Sequence, residues 1–197
     1  MKNTKQGAMF GLDARVALSI FGALSIITGT ALYNAFQEAK IVAIIAEMDN
    51  IDKAVAQYYI DTGIYPDLAD SMTNGRLKSE ELLFSSIKEW KGPYVTLQDE
   101  GAVNDGLLEH PVYSQIRIYK DKDSDWESPA INSSKCLSTS NNCSVYVCYF
   151  GVSSDIQKGL ELKIDGMTSA NNSGIRYNST HVCKRGMTYD KTLAPAS

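Results

Sequence analysis

The side chains of this 197-residue chain that could do chemistry are few and grouped. Cys136, Cys143, Cys148 and Cys183 all follow the first two thirds of the sequence. They lack the close C-x-x-C pairs that a zinc site needs, so disulfides are expected, with three pairings open. Asp121, Asp123 and Asp125 alternate along one polar run, a spacing that suits a hard cation such as calcium. The run is not an EF-hand, because Trp126 replaces the required glycine and Asn132 stands where the bidentate Glu belongs. A calcium loop and a solvated acidic turn both fit. His110 and His181 sit in no nucleophile or metal pattern and are expected in loops or at the surface. There is no Gly-x-Ser-x-Gly, His-Glu-x-x-His or Walker loop, and the chain is not expected to be an enzyme. Asn132, Asn142, Asn171 and Asn178 each open an Asn-x-Ser/Thr triplet, to which no function is given.

One further acid is notable for its place. Asp13 stands three residues before Val16–Tyr33, a run of about 18 residues without a charge, at the lower end of what spans a bilayer core as a helix. An ionised carboxylate at the edge of such a run is expensive unless it is paired. Arg15 is two residues on, roughly 200° around a helix, and is poorly placed to be the partner. A secretory signal would end in a small-residue cleavage site and release the chain. Here the helical pattern continues, which predicts a retained anchor. Lys2, Lys5 and Arg15 precede the apolar run, so the positive-inside rule puts the N-terminus in the cytoplasm and the rest outside it. Cysteines beyond the anchor agree with an oxidising compartment. The net charge of −4 gives no basic footprint, so nucleic acid is not expected as a main partner.

After the anchor, Ile41, Ile44, Met48, Ile51, Val55 and Tyr58 recur at spacings of three and four, one stripe along a helix. Lys40, Glu47, Asp49, Asn50, Asp52, Lys53 and Gln57 take the other face. No proline precedes Pro66 and Gly63 gives a stop, so one helix from Met9 to about Ile60 is predicted, roughly 75 Å long. Ser79-Glu80-Glu81 is expected to cap a short helix through Leu82, Leu83, Phe84, Ile87 and Trp90, ended by Gly92-Pro93. Val95, Leu97 and Leu107-Leu108 are weak strand or loop candidates. Gln115–Lys120 alternates as a strand, and Ser144–Phe150 is the strongest strand signal in the chain. Ser153-Ser154-Asp155 opens a helix through Ile156, Leu160 and Ile164 that Gly166 closes. Ile175–Tyr177 reads as the last strand. The sum is an α+β chain, one long helix packed by its stripe on a small antiparallel sheet.

Two stretches, in register along this helix, carry a resemblance: Phe21-Gly22-Ala23-Leu24-Ser25 within the apolar run, and Tyr58, Asp61, Tyr65 and Pro66 at its end. With Trp90-Lys91-Gly92-Pro93-Tyr94 further on, the first half of the chain resembles the type IV pilin and type II secretion pseudopilin superfamily, most closely its major pseudopilin. The resemblance implies a pilin-like fold with a prepilin leader at residues 1–8, a membrane-spanning and filament-core segment at 9–35, and a globular head at 36–197. It implies a cut between Ala8 and Met9, with N-methylation of the new amine and Asp13 as the acidic fifth residue needed for assembly. Ala8 and Asp13 stand where the family usually has Gly and Glu, and cuts after Gly7 or Gly11 would place Asp13 sixth or second. Cys148 with Cys183 is similar to the C-terminal disulfide loop of many type IV pilins and unlike the usual major pseudopilin; Cys136 with Cys143 would close a small loop. Major pseudopilins carry a calcium in a late loop, which bears on Asp121, Asp123 and Asp125. The expected partners are further copies in a filament, other pilins or pseudopilins, a prepilin peptidase, an inner-membrane assembly platform and the membrane. The head would lie in the periplasm. The competing expectation is a single-pass, membrane-anchored periplasmic binding or sensor domain that does not polymerise.

Overall fold

The computed structural model describes residues 9–69, 75–99, 101, 105–123, 136, 142–166 and 174–190. Helix α1 runs Met9–Thr62. The chain divides into two compact units, residues 1–40 and 41–197.

In the second unit the stripe read from the spacing is the spine of the core. Ile41, Ile44, Met48, Ile51, Val55 and Tyr58 are all buried, joined by Ala54. Removing such side chains from water is the dominant favourable term in folding. They face a six-stranded antiparallel sheet of order β1-β2-β3-β4-β6-β5. The strands are β1 (Gln98–Asp99), β2 (Leu107–Glu109), β3 (Gln115–Lys122), β4 (Cys143–Phe150), β5 (Ile175–Tyr177) and β6 (His181–Thr188). Ile116 and Ile118 of β3 and Val145, Val147 and Tyr149 of β4 belong to the same core as the stripe. Tyr119, Tyr146, Cys148 and Cys183 form a smaller buried cluster of their own. That division follows from alternation along a strand: a residue and its neighbour point to opposite faces.

Helix α2, Ser154–Asp165, has Ser153 at its N-cap and ends at Gly166, whose φ of 72° is the left-handed C-cap geometry. It turns Ile156 and Leu160 into the core. Its Gly159 lies where a Cβ would collide with the side chain of Ile41. α2 therefore meets the stripe at a position that tolerates no side chain without rearrangement.

Two elements differ from expectation. The helix expected after Ser79 is one 3-10 turn, Ser79–Leu82. Its carbonyls are taken by distant donors: Trp90 Nε1 bonds Glu81 O at 3.0 Å, and Tyr94 N bonds Leu82 O at 2.8 Å. Ser79 Oγ donates to Leu77 O at 3.4 Å and does not cap the turn. The last strand is β6, not β5. Its Lys184-Arg185-Gly186 centre hides it from a hydrophobicity pattern, and its pairing with buried β4 decides its conformation.

Candidate functional site

The sequence-predicted residues fall in both units. In the first, Asp13 is exposed. Beyond it the apolar side chains of α1 are exposed as a group, from Val16 at 56% through Phe21 at 70% to Phe36 at 59%. Ser19, Ser25, Thr28 and Thr30 turn their hydroxyls back onto helix carbonyls three or four residues earlier. Those bonds satisfy the Ser and Thr hydroxyls on the run and leave a largely apolar surface. By length and composition, α1 is the one helix among the described residues able to cross a membrane. Ala8 lies outside the described residues, and Met9 begins the helix.

In the second unit, the two motif stretches at the end of α1 and around Trp90 meet. Asp61 accepts a hydrogen bond from the Tyr94 hydroxyl at 3.0 Å and pairs with Lys91 at 3.3 Å. Desolvation would raise the Asp61 carboxyl, but bonds from Tyr94, Gln57 and Lys91 outweigh it and hold it below its ordinary value. Tyr58 sets its ring edge-on to Tyr94 at 5.9 Å and donates to Glu81 Oε2 at 2.7 Å. Tyr65 stacks between Tyr59 and Tyr189, with centroids at 4.6 and 4.3 Å. The motif residues are thus a clamp that fixes the C-terminal end of α1 to the following 30 residues and to the end of β6.

The polar flank of the stripe carries a second set of clamps that hydrophobic spacing does not show. Asp49 pairs with Lys184 at 2.7 Å. Asp52 Oδ1 accepts the backbone N–H of Met187 at 2.8 Å. Gly186 lets the strand approach, since a Cβ there would collide with the Asp52 carboxylate. Burial raises the Asp52 carboxyl above its ordinary value, against the Met187 N–H and the Lys184 charge.

Both histidines are buried, at 8% exposure each; His110 lies in the loop after β2, as expected, whereas His181, expected in a loop or at the surface, begins β6. His110 Nδ1 accepts the N–H groups of Val112 at 3.0 Å and Tyr113 at 2.9 Å, which puts the ring proton on Nε2. Nε2 then donates to Glu47 Oε2 at 3.1 Å. His181 packs on Phe150, with the Arg117 guanidinium 4.3 Å from that ring. Burial, then the Arg117 charge, lowers its pKa.

The structure joins Cys148 to Cys183, directly opposed on β4 and β6, and Cys136 to Cys143. Asp123 Oδ1 accepts from the Ser144 and Tyr146 hydroxyls at 2.7 and 2.9 Å, and Asp121 Oδ1 accepts the Lys122 N–H at 2.7 Å. Asp125 lies outside the described residues. Among the described residues no group of three or more His, Cys, Asp or Glu side chains could hold a metal. Compared with protein-family models, curated proteins and solved structures, the chain matches none.

Proposed function

We propose that this chain is a structural subunit of a type IV pilin-like or pseudopilin-like filament. It is made with a leader at residues 1–8 that is cut before Met9, held in the inner membrane by the segment 9–35, and assembled from there with its head in the periplasm. Its work is mechanical. Apolar helices pack together at the filament centre, and the heads form its surface. Asp13 is paired there by the new amine of a neighbouring Met9, and an unpaired charge in that apolar setting is costly enough to reject a subunit out of axial register. The observation that carries this reading is that one helix presents an unpartnered apolar run from Val16 to Phe36, then buries a stripe from Ile41 to Tyr58 in an α+β head. Further support comes from the interlock of the two motif stretches through Asp61, Tyr94 and Lys91.

Electron microscopy of material sheared from cells producing the full chain tests it. Thin filaments containing the chain are expected, and they should be lost in Asp13→Ala while the subunit stays folded in the membrane. A monomer that forms no filament would return the chain to the class of anchored periplasmic domains.

A further inference from the structure

The sheet has a second face, turned away from the stripe of α1, and basic side chains of β5 and β6 meet on it. Ile175 of β5 belongs to the core and Tyr177 packs against it, so Arg176 between them points to the outer face. Arg176 stands opposite Cys183 in the register of β5 and β6, and Cys183 belongs to the smaller cluster of that face. Two residues further along β6, Arg185 is opposite Tyr146 of the same cluster. Arg176 and Arg185 are thus diagonal neighbours on adjacent strands, with backbones about 7–8 Å apart, a span that long side chains bridge.

Arg176 is half-buried, and its Nε and Nη2 are shielded from solvent without a hydrogen-bond partner among the described residues. Those two nitrogens form one edge of the guanidinium, the edge that takes both oxygens of an oxyanion side-on. An arginine does not lose its charge, and a shielded charge calls for a counter-ion. The chain's own carboxylates are placed elsewhere. α2 packs on β5, but its Asp165 accepts the N–H groups of Gly174 and Ile175 at 2.7 and 3.0 Å, and its Glu161 faces the Tyr177 hydroxyl. Asp123 accepts the Ser144 and Tyr146 hydroxyls at the end of β3, which β4 and β6 separate from β5. Arg185 is exposed, and among the described residues its side chain has no ion pair.

We propose that Arg176 and Arg185 form a binding site for a phosphate group on the outer face of the sheet. Arg176 turns its unpaired edge outward and donates from Nε and Nη2 to two oxygens, and Arg185 donates to a third. Strands β5 and β6 hold no acidic residue, so two guanidiniums side by side match a dianion better than a single carboxylate. The site lies in the head alone and does not depend on filament formation.

The test uses the full chain in micelles of a phosphate-free detergent, with inorganic phosphate as the probe and phosphorus NMR as the readout. Saturable line broadening is expected. Arg176→Lys keeps the charge but loses the side-on edge, and should weaken binding about tenfold. Arg185→Gln, at an exposed position, should weaken it by about the same factor, with the thermal midpoint in chloride unchanged. Acetate at matched ionic strength should compete only at about tenfold higher concentration. Displacement by an equal concentration of glycerol phosphate would assign the site to phosphate esters, and no displacement would assign it to free phosphate. No saturable broadening up to about 10 mM phosphate, unchanged binding in Arg176→Lys or Arg185→Gln, or acetate competing as well as phosphate would overturn the proposal.

Discussion

The stretches Val16–Phe36 and Ile41–Tyr58 of α1 use the same apolar residue types and meet opposite fates. In the second, every third or fourth side chain is buried, and all the charged and amide side chains fall between them. In the first, apolar residues occur around the whole helix and stay exposed, with Ile26 at 71%. The difference teaches where each stretch finds its stability. The stripe is completed by its own head; the run, on the filament reading, is completed by lipid and by other helices. Mutations should separate the two.

The largest effect is expected within the head. Replacing Cys148 and Cys183 together by Ala opens a loop of sequence separation 35. In the chain-entropy model that should cost about 4 kcal/mol, read as a fall in the chemical or thermal midpoint of the head. Met48→Ala follows, at roughly 3 kcal/mol for a fully buried Met that leaves a cavity. Ile26→Ala is the control across the comparison. It should change head stability by less than about 0.5 kcal/mol, yet reduce recovery in filaments. Equal destabilisation by Met48→Ala and Ile26→Ala would break the distinction.

A smaller effect concerns the strand that hydrophobicity missed. Gly186→Ala pushes a methyl into Asp52 and should cost about 1–3 kcal/mol, the range for overpacking. Asp52→Ala in the same chain should recover part of that loss, because the two changes share one contact. Additive losses, measured by denaturant unfolding, would show that β6 does not depend on the close approach.

The smallest effect is a pH dependence. Glu80 is 4% exposed, and among the described residues no other residue donates a hydrogen bond to either of its carboxyl oxygens. Burial, then the charges of Asp105 and Asp99, raises its pKa. Because the folded value lies above the unfolded one, the contribution of this group is fully present below the unfolded carboxylate range and is lost as pH rises through the folded value. Glu80→Gln should therefore stabilise the head by about 1 kcal/mol at pH 7, with the gain shrinking as the pH falls toward 4. A gain that grows on acidification would contradict this.

How much of this was legible beforehand depended on which physical term decides each element. The stripe of α1, the strands β3 and β4, and α2 from Ser153 to Gly166 are set by periodicity and caps, which are local. β6 carries Lys184 and Arg185 in its middle, and only its position beside β4 makes it a strand. The turn at Ser79 fails as a helix because Trp90 and Tyr94 claim its carbonyls. Asp49 and Asp52 looked like a solvated face, and their partners lie more than 130 residues away on β6. Tyr58, Asp61 and Tyr94 were visible as motif letters, but their mutual contact was not. The burial of His110 depends on Glu47 and on the N–H groups of Val112 and Tyr113, a tertiary arrangement with no short-range signature.

The central claim is that Val16–Phe36 is a helix–helix interface between copies. The most direct measurement is thiol crosslinking of the full chain in membranes, with Leu18→Cys and Ile26→Cys introduced together, the native cysteines being held in disulfides. The account predicts a ladder of crosslinked species extending past the dimer, reduced to monomer when Asp13→Ala is added. A monomer band alone at the wild-type Asp13, with the added thiols shown to be reactive, would contradict it.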